Sequence, residues 1–288
     1  MQNIVIPSIN CEDFSCIKKR IAFASAFKQE NPNPDEGGTG ASSFAKATAD
    51  KWVHIDVSDG KFTPHISWNN PDELTSIMNN ESRIKIEVHL MIENPEVYID
   101  AWLRAGAKRI IVHLEVMQDS VLILEKCKKY NAECFLAIKP ETEVDRLFAY
   151  TDPRTKSPLN QFSDGVVLEK KDFMDMNMAS GGALVRGSVP RKEKLLSADS
   201  EALHFDGFLI LGVTPGPSGQ KMDQRIFEKI KKLRNRFQDS IIEVDGGINL
   251  ETAKLAKEAG ANLFVAGAYI FNSKNPKGAY EELSKIVA

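Results

Sequence analysis

Four polar side chains stand where a metal ion and a proton could be handled together. The segment W-V-H-I-D-V-S-D-G ends an apolar run with His54 and Asp56 two residues apart; E-V-H-L-M offers His89, and I-E-V-D-G-G offers Asp245. In a β-strand, successive side chains alternate faces, so a spacing of two turns His54 and Asp56 the same way. Two imidazoles and two carboxylates form an N₂O₂ donor set suited to Zn²⁺, Fe²⁺, Mn²⁺ or Co²⁺, and one divalent metal ion is the cofactor expected. Taken singly, each histidine reads as a satisfied core residue and each aspartate as a helix cap. Their convergence on strand ends favours the metal.

A second pattern is made of glycine. Three consecutive apolar runs lead into G-V-T-P-G-P-S-G-Q, D-G-G-I and V-A-G-A-Y-I, which contain Gly216, Gly219, Gly246, Gly247 and Gly267. Glycine lets the backbone approach an anion closely, and the N–H groups opening the next helix favour negative charge. Any one of these glycines is explained by a turn; the repetition at three successive strand ends points to a phosphate site.

The elements that must position these groups alternate between short β-branched runs and amphipathic helices. Strands are predicted at Asn3–Pro7, Trp52–Val57, Ile84–His89, Arg109–His113, Glu133–Ile138, Gly207–Leu211, Ser240–Val244 and Leu263–Ala266. Helices are predicted at Pro95–Ala105, Gln118–Tyr130, Asp223–Phe237, Leu250–Ala259 and Pro276–Ile286. Eight β/α repeats favour a closed (β/α)₈ TIM barrel, because closure leaves no strand edge exposed. Residues 1–288 are expected to form one such domain, with its active face at the C-terminal ends of the strands. Two stretches break the rhythm, approximately 30–50 and 153–202, and both read as insertions because loops beyond about 12–15 residues are uncommon in compact domains. The second falls between strands five and six and reads either as a solvated excursion or as a lid.

Composition narrows the function classes. At 288 residues and 42% hydrophobic content the chain can bury a large core, and a formal net charge of -3 with no basic stripe argues against nucleic acid as a partner. No apolar run approaches the roughly 20 residues of a membrane helix, and the start MQNIVIPSIN lacks a signal-peptide pattern, so a cytoplasmic protein with no membrane partner is expected. Cys11, Cys16, Cys127 and Cys134 form no C-x-x-C pair and read as unlinked thiols of a reducing compartment.

The motifs together resemble the ribulose-phosphate 3-epimerase family. The likeness is carried by I-V-I-P-S-I, H-I-D-V-S-D-G-K-F-T-P, V-H-L-M-I-E-N-P, A-G-A-K-R-I-I-V-H-L-E, P-E-T, P-G-P-S-G-Q and E-V-D-G-G-I-N followed by A-G-A-N-L-F-V-A-G-A-Y-I-F, and it spans the chain outside the two insertions. The resemblance implies that His54, Asp56, His89 and Asp245 hold one divalent metal and that Asp56 and Asp245 are the catalytic acid/base pair. It also implies a small sugar phosphate as substrate, contacted by Ser8 and His89, with Gly216, Gly219, Gly246, Gly247, Gly267 and Ala268 around the phosphate, and a homo-oligomeric assembly; Met91, two residues past His89, reads either as a substrate contact or as core packing. Elementary chemistry agrees. Inverting a carbon beside a ketone needs one base, one acid on the other side, and stabilisation of an enediolate. The implied reaction is epimerisation of a pentulose 5-phosphate at C3.

Several positions depart from the family pattern. Ser58 replaces a usual methionine, Pro217 and Ser218 alter the phosphate loop, Ala268 replaces a serine, and His65 stands where asparagine is common. These bear on which sugar is bound, so a ketohexose-6-phosphate 3-epimerase is the alternative activity. His113 and Glu115 read as supporting residues around the site, Asp59 as a turn residue, and Trp52, Trp68 and Trp102 as packing aromatics. A related decarboxylase is disfavoured because no lysine separates the acids of H-I-D-V-S-D, and a non-catalytic sugar-phosphate-binding barrel is the reading from outside the enzymes.

Overall fold

Strand runs buried on both faces need cover on both sides, and the chain supplies it by winding helices around a closed cylinder. The computed structural model describes residues 3–26, 51–78, 84–151 and 204–288. Strands β1 (Ile4–Ile9), β2 (Lys51–Ser58), β3 (Ile84–Met91), β4 (Arg109–His113), β5 (Glu133–Ile138), β6 (Gly207–Leu211), β7 (Ile241–Asp245) and β8 (Leu263–Ala266) form one parallel barrel in sequence order, and β8 pairs back onto β1. Around it run α1 (Phe14–Ser25), α2 (Pro71–Met78), α3 (Pro95–Arg104), α4 (Ser120–Lys129), α5 (Asp145–Thr151), α6 (Ile226–Arg236), α7 (Leu250–Ala259), the short α8 (Ala268–Phe271) and α9 (Pro276–Val287). The insertions expected near 30–50 and 153–202 lie outside the described residues.

Alternation divides each strand between two cores. Val53, Ile55 and Val57 of β2, Ile86, Val88 and Leu90 of β3, and Ile242 and Val244 of β7 join the outer core against helix residues such as Ile21, Trp102 and Leu233. The residues between them face the axis, where Ile6, Trp52, Ile111, Phe135, Leu209 and Val265 form a separate inner core. His54, Asp56, Glu87, His89, Glu243 and Asp245 therefore share the inside, as the period of two requires.

Local signals end the helices cleanly. Asn249 and Thr252 form a reciprocal capping box at the start of α7, and Gly260, at φ 113°, terminates it. All eight predicted strands are present, but four run further than expected, among them β2 to Ser58 and β3 to Met91. β1 extends to Ile9 and β7 to Asp245, because ladder pairing carries both past their apolar runs: Ser8 lies opposite His54, and Asp245 opposite Leu211. The reading of four unlinked cysteines is corrected. Cys11 and Cys16 are bonded to each other with Cα atoms 5.9 Å apart, while Cys127 and Cys134 are free and buried. Asp13 lies between the two as the N-cap of α1, accepting from the Cys16 backbone N–H, and turns the chain so that position 16 faces back to position 11. No helix among the described residues is long and apolar enough to cross a membrane.

One inner-core contact is testable alone. Gly207 leaves room for the Phe135 ring, and a Cβ on Gly207 would stand 2.6 Å from it. Gly207→Ala is expected to destabilise the barrel by about 1–3 kcal/mol in chemical denaturation, as overpacking does, and Phe135→Leu in the same chain should recover most of that loss. An unchanged midpoint for the single variant would contradict this packing.

Candidate metal centre and active site

The four sequence-predicted ligands meet at one end of the barrel. His54 Nε2 lies 3.2 Å from Asp56 Oδ1 and 3.8 Å from Asp245 Oδ2, and His89 Nδ1 lies 3.2 Å and 3.5 Å from the same two oxygens. One donor atom from each residue lies within 4.8 Å of every other. Donors sharing an ion at about 2.0–2.2 Å stand about 3–4 Å apart, so the spacing fits. Asp56 and His89 are direct neighbours in the β2–β3 register, so strand pairing itself sets their separation.

Each imidazole uses its remaining nitrogen elsewhere. His54 Nδ1 pairs with Glu87 Oε1 at 2.8 Å, and His89 Nε2 pairs with His113 Nε2 at 2.9 Å. Glu87 is held in turn by Arg109, whose Nε also donates to Glu133 Oε2 at 2.7 Å. The Arg109 guanidinium lies between two rings, 4.1 Å from the Trp52 centroid and 4.2 Å from that of Phe135. Glu243 completes this deeper layer, 3.5 Å from His54 Nδ1 and 3.6 Å from Arg109, with no hydrogen bond to either carboxylate oxygen among the described residues.

Charge in this sealed space is unbalanced toward the negative. Burial alone lowers His54, yet the charge of Asp56, hydrogen bonds to Asp56 and Glu87, and the nearby Glu243 carboxylate hold its pKa well above the ordinary value. His89 is likewise raised, its bonds to Asp245 and Asp56 outweighing burial. Burial pushes Asp56 up, but His54 and then His89 bring it well below the usual carboxylate range. Glu243 is pushed up to about 7 by burial and the adjacent Glu87 charge. A cluster that draws protons onto two imidazoles is one that accepts a divalent cation in their place, and the residues present therefore fit a metal.

Above the cluster opens a cavity of about 370 Å³. Its wall brings together Ser8, Met91, Gly216, Gly219, Gly246, Gly247, Gly267 and Ala268 with the two aspartates, while His54 and His89 are fully buried beneath. Asp56 and Asp245 are 6% and 8% exposed, so both reach the cavity from the cluster. Ser8 Oγ donates to Asp56 Oδ2 at 2.9 Å. At the glycine end no lysine or arginine among the described residues lines the wall, where backbone N–H groups are the donors an anion could meet. Gly247 shows why glycine is needed there: at φ 73°, its Cβ would fall 2.7 Å from Met222 N.

Several participants went unread in the sequence. Glu87 and Glu243 each sit two residues before a ligand, on the same inward face, so the period-two signal was there to find. The loop after β2 is fastened across the mouth: Thr63 Oγ1 donates to the Pro215 carbonyl at 2.6 Å, Asn10 Nδ2 to that of Gly216 at 3.3 Å, and His65 Nε2 pairs with Asn10 Oδ1 at 3.1 Å. No local pattern announces those contacts. Ser58 is fully buried, its hydroxyl without a hydrogen-bond partner among the described residues.

A parallel eight-stranded barrel with a buried imidazole–carboxylate cluster under a glycine-walled cavity defines the class: a TIM-barrel protein with a candidate metal centre at the mouth of the barrel. The chain belongs to the ribulose-phosphate 3 epimerase family, whose sequence model matches residues 35–152 and 189–271. It is 30% identical over 225 residues to a ribulose-phosphate 3-epimerase of Chlamydia muridarum (strain MoPn / Nigg), covering 76% of this chain and 75% of that one. It is 28% identical to the ribulose-phosphate 3-epimerase of Bacillus subtilis (strain 168), covering 80% and 84%. Among solved structures it resembles 3-keto-L-gulonate-6-phosphate decarboxylase from Vibrio cholerae O1 biovar El Tor str. N16961, with TM-score 0.54, 9% identity and coverage of 99% and 97%, a likeness of fold.

The supporting residues carry a pH signature. Burial outweighs the opposing bond to Glu115 and lowers His113 to about 4 from an ordinary 6.5. The folded state thus binds fewer protons there than the unfolded chain, and this contribution is complete above pH about 6.5 and lost as pH falls through about 4. His113→Gln removes the titration. The stability difference between wild type and this variant should shift by roughly 3 kcal/mol between those limits, against wild type in acid. A pH-independent difference in denaturation free energy would refute the assignment.

Proposed function

We propose that the protein catalyses metal-dependent epimerisation of a pentulose 5-phosphate at C3, interconverting D-ribulose 5-phosphate and D-xylulose 5-phosphate. One observation carries this: two carboxylates, Asp56 and Asp245, open onto the same cavity while sharing the same two buried imidazoles. The family and its epimerase relatives support the choice of reaction.

In this reading the phosphate rests against the backbone around Gly216, Gly219, Gly246, Gly247, Gly267 and Ala268, which directs the ketone end of the sugar toward the aspartates. One aspartate, ionised, takes the C3 proton. The other, protonated, returns a proton to the opposite face, and the reverse reaction exchanges their roles. Ser8, hydrogen-bonded to Asp56, orients that carboxylate, and Met91 packs beside it to keep water out. His54, Asp56, His89 and Asp245 would hold a divalent ion, Zn²⁺, Fe²⁺, Mn²⁺ or Co²⁺, which when bound supplies Lewis-acid stabilisation of the enediolate charge. A second substrate reading, a ketohexose 6-phosphate, is favoured by the amide of Asn10 in the cavity wall, a group able to meet a further hydroxyl.

The test uses one purified sample. Metal content near one divalent ion per chain, conversion of ribulose 5-phosphate, and uptake of one solvent deuteron at C3 per turnover are the results expected. Asp56→Asn and Asp245→Asn should each keep a native circular dichroism spectrum and lose at least about 100-fold in kcat, the usual size of a general acid–base contribution. Near-wild-type turnover in either variant refutes the two-acid scheme. Faster turnover of the hexulose than of the pentulose phosphate would select the second substrate.

A further inference from the structure

We propose that His113 is a positioning residue that holds the proton of His89 on Nε2 and leaves Nδ1 as the lone-pair face turned toward Asp56 and Asp245. The inference rests on the metal reading above and concerns how one ligand is made ready for the ion.

Donors and acceptors fix where each proton sits. His89 Nε2 and His113 Nε2 are 2.9 Å apart, and a hydrogen bond between two imidazole nitrogens requires one N–H and one lone pair. Two N–H groups facing each other would clash electrostatically, and two lone pairs would repel. Which ring donates is decided at the far end of the chain of contacts. His113 Nδ1 lies 3.1 Å from Glu115 Oε2. The other oxygen of Glu115 accepts from the Lys139 backbone N–H at 2.9 Å and from the Thr142 hydroxyl. A backbone N–H can only donate, and an ionised carboxylate can only accept. The hydrogen between His113 and Glu115 therefore belongs to His113 Nδ1. His113 Nε2 is left with its lone pair, and His89 Nε2 must be the donor.

The surroundings hold this order in place. His113 is fully buried, its ring stacked 5.0 Å from that of His89 and capped by Phe62 with centroids 4.8 Å apart, so water cannot supply an alternative partner. Glu115 is anchored by the loop that follows β5, so the relay runs from β3 through β4 to the end of β5. His54 is handled differently: its Nδ1 faces a carboxylate, Glu87, directly. Two ligands of one cluster thus present different nitrogens, Nε2 from His54 and Nδ1 from His89, each selected by what lies behind it. Partners of this kind around a metal site typically change metal affinity by about 10–100-fold.

The chain has only five histidines, so long-range proton–nitrogen NMR of ¹⁵N-histidine-labelled protein can assign every ring. In zinc-loaded protein, and in metal-free protein at alkaline pH, His89 is expected to carry its proton on Nε2 and His113 on Nδ1. His113→Met, which offers no comparable acceptor, should leave the His89 tautomer mixed and weaken zinc binding about 10–100-fold in a chelator competition. His113→Gln, whose amide oxygen can accept, should restore the His89 signature and most of the affinity. If His113→Met does not fold, Glu115→Gln keeps the side-chain shape and can donate as well as accept, and it should loosen the same tautomer. A proton on Nδ1 of His89 in the wild type, or equal zinc affinity in wild type and His113→Met, overturns the proposal. Wild-type protein that takes up no zinc while showing the expected tautomers refutes the metal reading instead.

Discussion

Carboxylates gathered inside a barrel that shields most of their surface from water are the constraint around which this protein is arranged. Asp56, Asp245, Glu87 and Glu243 all point at the axis within two layers, and Arg109 is the guanidinium set against them. Taking such charges out of water is unfavourable unless opposite charge and hydrogen bonds offset it. The surrounding carboxylates raise the pKa of His54 and of His89 despite their burial, so the cluster favours positive charge. A divalent cation would satisfy the same demand with the two imidazoles neutral, so the electrostatics of the cluster and the chemistry proposed for it have a common origin.

The barrel is what makes the arrangement rigid. Register places Asp56 beside His89 on neighbouring strands, and Glu87 beside Arg109, so spacing within each layer follows from backbone pairing and not from flexible loops. Beneath the ligands, the layer of Trp52, Arg109 and Phe135 fills the cylinder with flat groups stacked on one another, and Gly207 yields the space that the Phe135 ring occupies. Above them the wall changes character. Glycines and backbone replace side chains, and the loop holding Thr63 and His65 is tied over to Pro215 and Asn10. A sugar phosphate would thus meet charge at one end of the cavity and backbone dipoles at the other.

Much of this was legible in the sequence, for identifiable reasons. Strands buried on both faces read as continuous apolar runs, so the inward polar residues that interrupt them stood out: His54, Asp56, His89 and Asp245 were visible as breaks in otherwise hydrophobic strands. Glu87 and Glu243 interrupt the same runs but were absorbed into the strands as they stood, without a role. Arg109 opens β4, where a charged residue looks like the solvent-exposed start of a strand; only the register, which sets it between Glu87 and Glu133, reveals that it is buried. The Asn10–His65 contact and the Cys11–Cys16 link depend on how loops turn after a strand ends, which residue type does not specify. Ser8 entered through resemblance to a family, and the extension of β1 as far as Ile9 supplies its physical place opposite His54.

X-ray absorption at the edge of the bound metal tests the central claim most directly. One site per chain with two imidazole nitrogens and carboxylate oxygens at about 2.0–2.2 Å is expected, with loss of the imidazole scattering on replacing His54 or His89. A spectrum showing only water and oxygen ligands, unchanged by those replacements, would contradict it.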